Sequence, residues 1–234
     1  MTVPISETSF RSPRWLHRWA VFTACATFVL LALGSVVTTF QVGMADPIWP
    51  TYPWHLLLVS WEEPRPGFLI EHTHRLAGYI VGCCVIVLAA GLWRREPRRW
   101  LRWLGLTALA GVILQGLLGG FRVKLNEWVG TDLALIHGSF AALVFATLVG
   151  IAVFTSPGWV TRAKQVGTGS NDNRLWRGSL IVTGLVYLQI VLGALLRHAN
   201  SSLSQRGHLL VYQATTASAV QRLAVSTGRL EGAA

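Results

Sequence analysis

Apolar residues along this chain gather in long blocks rather than in the 3.6-residue stripes of a surface helix. Five blocks, 19–40, 72–93, 101–121, 133–154 and 178–196, reach the roughly 20 residues that a bilayer crossing needs. A backbone in hydrocarbon has to satisfy its own polar groups, so each block is expected to be a helix. A sixth helix is expected to begin near His208, but its apolar content fades through Gln221-Arg222 into Gly228-Arg229-Leu230-Glu231. The pattern therefore predicts an all-α, polytopic membrane helix bundle with five full transmembrane helices and a partial sixth.

Two connections stand out. Residues 156–173 contain Gly167-Thr168-Gly169-Ser170-Asn171 and read as a flexible linker. Residues 41–67 carry Trp49, Pro50, Tyr52, Pro53, Trp54 and Trp61, a composition suited to the membrane interface. A short internal echo adds to this picture. Leu33-Gly34-Ser35-Val36-Val37 closes the first block as Leu192-Gly193-Ala194-Leu195-Leu196 closes the fifth, and Glu71-x-x-His74 is echoed by Gln205-x-x-His208. The organisation expected is a four-helix half over 1–155, a linker over 156–176 and an incomplete second half over 177–234.

Composition supports the membrane reading. Of 234 residues, 52% are hydrophobic and 13% charged, and the mean hydropathy is +0.48. A formal net charge of +10 invites a nucleic-acid reading, yet the basic residues sit in short clusters between apolar blocks, so no nucleic acid partner is expected. Arg11, Arg14 and Arg18 precede the first block, and Arg94, Arg95, Arg98, Arg99 and Arg102 join the second to the third. Arg162, Lys164, Arg174 and Arg177 join the fourth to the fifth. The positive-inside rule then places the N-terminus in the cytoplasm of a multi-pass protein of the cytoplasmic membrane. No cleavable signal is expected at the N-terminus, and Cys25, Cys83 and Cys84, all inside apolar blocks, read as small packing residues.

The chemistry concentrates in Glu71-His72-Thr73-His74-Arg75, at the mouth of a block that then runs uncharged from Leu76 to Ala90. Ionisable groups beside hydrocarbon mark ion, proton or cofactor sites by default. His137 opens the fourth block at the same depth as His74. Two histidines at one height on neighbouring helices suggest a bis-histidine haem, its iron held by His74 and His137. Gly78 and Gly82 follow His74 on its helix face and leave room for a flat ring. Glu71 shares that face and could handle protons or pair with Arg75 or His72. Arg75 could bind a haem propionate or snorkel to the interface. His72, turned away from His74, reads as structural. His17 and His55 read as solvated groups in or near interfacial segments, and His198, after Arg197 at the outer end of the fifth block, could contact a propionate or nothing in particular.

Glu71-x-x-His74-Arg75, His137, the segment Gly43-Met44-Ala45-Asp46-Pro47-Ile48-Trp49-Pro50 and Leu192-Gly193-Ala194-Leu195-Leu196-Arg197-His198 together resemble haem A synthase. This is the membrane family that includes the cytochrome oxidase assembly factors Cox15 and CtaA. The resemblance covers about Leu16 to Val211. It implies two similar four-helix halves, each with a histidine pair, the first oxidising the C8 methyl of haem O to the formyl group of haem A. On that basis His74 and His137 would ligate the haem being oxidised, and Glu71 would be the carboxylate the reaction needs. His208 would match the first ligand to a haem b cofactor in the second half. The chain departs from the family pattern in ending before the second-half partner histidine, which reads as a C-terminal truncation that impairs the protein. The first outer loop also lacks the cysteine pair of some members.

The expected function is a haem-dependent oxidoreductase of haem A biosynthesis for cytochrome oxidase. Haem O is the substrate, haem b a second cofactor, and iron the metal held by His74, His137 and His208. Haem O synthase, an electron donor, the lipid bilayer and a second copy of the chain are its expected partners. An alternative is a non-catalytic bis-histidine membrane protein for electron transfer or haem carriage. A proton-coupled transporter built on Glu71 is a third reading, and it requires no haem.

Overall fold

A computed structural model describes residues 12–45, 66–159 and 176–196. Helix α1 spans Arg14–Thr39, α2 Pro66–Arg95, α3 Arg99–Lys124 and α4 Asn126–Thr155. A fifth, α5, spans Trp176–Leu196. Each of the five is long and apolar enough to cross a bilayer. The chain divides into two compact units, Met1–Tyr187 and Leu188–Ala234, and α1–α4 belong to the first.

The expected blocks are all helices, and the helices outrun them. Hydropathy marks where hydrocarbon begins, whereas backbone hydrogen bonding continues into the interface, where water and headgroups tolerate charge. Thus α2 and α3 carry Arg94, Arg95, Arg122 and Lys124 in their last turns, where cations also favour the helix dipole.

Helices α1–α4 form a closed ring. α1 packs on α2 and α4, α2 on α3, and α3 on α4. Tight connections reverse direction at residues 96–98 and at Leu125, giving an up-and-down bundle. The end where α1 and α3 begin and α2 and α4 finish is rich in arginine; it is called the arginine end here. The packed core lies on that side, built from Leu16, Val85, Leu88, Leu92, Leu101 and Leu148 among others. With lipid as apolar as leucine, close packing must hold such helices together, and small residues permit it. A Cβ at Gly105 would come within 2.7 Å of Leu92 Cδ1, and one at Gly91 within 2.8 Å of the Trp15 ring. Phe22, Phe28, Ile80, Ile86 and Ile113 point outward and are exposed, as a lipid-facing surface requires.

Polar groups at the arginine end are tied off. Glu96 is fully buried and accepts from Arg98 Nε at 2.6 Å and from Arg98 N at 3.2 Å. The Ser12 hydroxyl also donates to the Glu96 carboxylate, and Arg102 donates to its carbonyl. Arg98 further donates to Ser12 Oγ at 2.9 Å and to the Phe154 carbonyl at 3.0 Å, closing the last turn of α4. The network therefore joins the start of α1, the α2–α3 connection and the end of α4. Inside the bundle, Thr23 and Thr27 donate to the Trp19 and Thr23 carbonyls of their own helix at 2.8 and 2.7 Å. Trp19 Nε1 donates to the Cys84 carbonyl at 3.0 Å. His17 corrects the sequence expectation of a solvated group. It lies within α1, and its Nδ1 is 3.1 Å from the Ala152 carbonyl oxygen, because the helix starts earlier than the apolar block.

Candidate functional site

At the opposite end α1 and α3 finish while α2 and α4 begin. Helix α2 starts at Pro66, so Glu71 through Arg75 occupy its second and third turns rather than a helix mouth. Proline suits a first helical position, where its missing N–H has no intrahelical partner to lose. Glu71 is 4% exposed and accepts from Arg75 Nη2 at 2.6 Å across one turn. Of the two partners foreseen for Glu71, this ion pair realises one. His72 is fully buried and stacks on Phe68, ring centroids 5.2 Å apart and planes 18° from parallel. That is the structural role expected of it.

His74 leans on α1. A Cβ on Gly34 would sit 3.0 Å from its Cε1, and the Leu30 backbone interacts with its ring. His137 leans on α3 in the same manner, with Gly119 beneath its Cε1 and the Gln115 side chain donating to its carbonyl at 3.0 Å. The two imidazoles interact electrostatically. Their helices do not pack side by side: α2 and α4 occupy opposite corners of the ring. The expectation of neighbouring helices is thereby corrected, and opposite corners let both rings face the bundle interior.

One nitrogen of each ring, His74 Nδ1 and His137 Nδ1, is buried without a hydrogen-bond partner. A buried polar atom left so is costly unless something satisfies it. Among the described residues no cluster of three or more His, Cys, Asp or Glu side chains could hold a metal ion. A metal here would thus take two donors from the protein and the rest from its own ligand, as a porphyrin iron does. Space is present too, since a Cβ on Gly78 or Gly82 would touch nothing within 4 Å. The donor set, the orphaned nitrogens and the open flank of α2 fit a haem.

Arg122, which the sequence pattern alone does not single out, also belongs to this cluster. It interacts electrostatically with Glu71 and Arg75, and with His74 and His137. Its guanidinium lies against the turn after α1, where Phe40 ends the helix and Gln41 takes φ 55°. A signal was present in the spacing. Gln115, Gly119 and Arg122 recur at helical intervals and share the face of α3 that meets His137. His208, the other expected ligand, lies outside the described residues, as do His55 and His198.

Taken together, the fold and the site define a multi-pass membrane bundle with two inward histidines on opposite helices. Residues 17–222 match the COX15-CtaA family, described as cytochrome oxidase assembly protein, and the chain belongs to that family. Among its curated relatives are proteins named heme A synthase. That of Shouchella clausii (strain KSM-K16) is 30% identical over 195 residues, covering 82% of this chain and 62% of the relative. Those of Lysinibacillus sphaericus (strain C3-41) and Geobacillus kaustophilus (strain HTA426) are 28% and 29% identical, covering 81% and 83% of this chain and 60% and 59% of their own. The chain thus spans about three-fifths of the length of these relatives. No solved structure matches it.

Proposed function

We propose that this chain acts in haem A biosynthesis as a membrane oxidoreductase, taking haem O as substrate and oxidising its C8 methyl to a formyl group. The observation that carries the reading is the pair of imidazoles, each with an orphaned buried nitrogen, directed inward from opposite corners of one bundle. Relatives named heme A synthase support a haem as the macrocycle.

In this reading His74 and His137 hold the substrate iron, and the open flank of α2 receives the ring. Gly34 lets the His74 ring lie close against α1, where a Cβ would stand 3.0 Å from its Cε1. The iron porphyrin supplies redox chemistry that amino-acid side chains lack. Turning a methyl into a formyl group with oxygen from water releases four protons and four electrons, so the site requires a base and an outside electron partner. Glu71 is the carboxylate placed to take protons. Its contact with Arg75 at 2.6 Å fixes where that carboxylate stands on α2. The remaining assignments belong to the same proposal. They are a catalytic half over 1–155, a linker over 156–176 and a second half over 177–234 in which His208 holds haem b. The N-terminus is assigned to the cytoplasm, with haem O synthase and a second copy of the chain as partners.

Glu71→Gln is the test. The variant is expected to retain a Soret band at wild-type intensity when supplied with haem O and to yield no formyl haem on pigment extraction. Formyl haem from Glu71→Gln at the wild-type level would remove Glu71 from the mechanism. The closed Glu71–Arg75 pair favours a second reading, a non-catalytic haem carrier, because one carboxylate oxygen is already taken up by its neighbour. A carrier would bind haem O and return it unchanged from the wild-type chain as well.

A further inference from the structure

A guanidinium cannot shed its proton within a protein, so a buried one needs an anion nearby. Two arginines stand in the histidine cluster, with different company. Arg75 has Glu71 at 2.6 Å. Arg122 is half-buried, its Nε is buried without a partner, and no described side chain accepts a hydrogen bond from it. Glu71 is near enough for Arg122 to feel its charge, but it is hydrogen-bonded to the other arginine. The described cluster of Glu71, Arg75 and Arg122 therefore sets two guanidinium groups against one carboxylate.

Its position is constrained. A Cβ on Gly43 would fall 2.6 Å from Arg122 Nη2 and 3.0 Å from both Cζ and Nη1. The flat guanidinium thus lies directly on the backbone after α1, and only glycine leaves it that place. Backbone contact on one side leaves the fork to meet a ligand on another, and a planar fork matches a carboxylate with two parallel hydrogen bonds. Arg122 also lies within electrostatic range of both histidines.

We infer that Arg122, seated on Gly43, anchors a carboxylate of the macrocycle held between His74 and His137 and so sets which way round that macrocycle enters. The inference rests on the haem reading above and adds a specificity-determining residue to it. A propionate is the carboxylate a haem brings. Arg75, engaged by Glu71, is left to the carboxylate that handles protons, so the two arginines divide the work.

The test uses the full chain in phosphatidylcholine nanodiscs, which offer no anionic headgroup, titrated with iron protoporphyrin IX and with its dimethyl ester. Soret absorbance reports occupancy in both arms. The wild-type chain is expected to prefer the free acid by about tenfold, the worth of a charge-assisted pair. Arg122→Gln is expected to lower free-acid affinity to that of the ester while ester affinity stays put, which also shows the variant folded. Arg122→Lys should keep part of the preference. A wild-type chain that binds acid and ester equally, or an Arg122→Gln variant that keeps the preference or weakens both probes alike, would overturn the inference and leave the haem reading standing. A wild-type chain that binds neither porphyrin would end both. Should Arg122→Gln fail to fold, the wild-type acid-to-ester ratio and Arg122→Lys still decide the matter.

Discussion

The two ends of the bundle are built from the same four helices and solve opposite problems. At the arginine end leucines fill the interior, and the buried carboxylate of Glu96 accepts from two distant parts of the chain, Ser12 and Arg98. At the histidine end polar atoms are buried and left open, among them His74 Nδ1, His137 Nδ1, Arg122 Nε and Ser139 Oγ. A bundle that only had to be stable would satisfy or remove those groups. One end holds the helices in register so that the other can present unsatisfied donors at fixed positions. On the haem reading proposed above, stability and binding occupy separate stretches of the same helices, so substitutions should separate them.

The largest effect on stability is expected from Glu96→Ala. It strips the carboxylate that accepts from both Arg98 and Ser12 and leaves the Arg98 guanidinium, 13% exposed, without its counter-charge. Removing one partner of a buried pair costs about 3–5 kcal/mol, and the lower figure suits a pair near the interface. Unfolding in mixed detergent should show that loss, while the fraction still folded binds haem as the wild type does. A parallel fall in haem affinity would mean that the two ends are coupled.

Gly105→Val should cost less. Its Cβ would meet Leu92 Cδ1 at 2.7 Å and the Ala89 backbone at 3.7 Å, and Leu92 is fully buried with no space to retreat. Overpacking of this kind costs about 1–3 kcal/mol. The same unfolding assay checks it, again with haem titration unchanged.

How much of this contrast could be read in the sequence depends on the signal each part leaves. Helices written as uncharged apolar blocks were legible, since nothing but a membrane span explains twenty such residues in a row. The basic clusters marked the arginine end but not its network. Glu96 among five arginines looks like an ordinary loop charge, and its burial arises only when Ser12 and the Phe154 carbonyl arrive from distant sequence. His74 and Glu71 were legible because charge inside an apolar stretch is costly and therefore informative. Arg122 hid in plain view, as a cation at the end of an apolar block already has an explanation in topology and snorkelling. The opposite-corner placement of α2 and α4 was not legible either, because chain order alone does not fix which helices of a bundle touch.

Gly34→Ala gives the smallest change and the sharpest separation. The added methyl would stand 3.0 Å from His74 Cε1 and 3.5 Å from Nε2, so the imidazole must give by a few tenths of an ångström. His74 is only half-buried, so its ring can move without unfolding anything. Alanine is also the better helix former, by about 0.8–1 kcal/mol over glycine in a helix interior. Stability should therefore hold or rise slightly. Haem affinity should fall by roughly 3–10-fold, because a ligand held slightly out of place loses much of its worth. Measuring the unfolding midpoint and the Soret titration on one preparation tests both halves together. A variant that loses stability but keeps its affinity would show that Gly34 serves helix packing like Gly105, and that the ring of His74 is not held in place by the helix behind it.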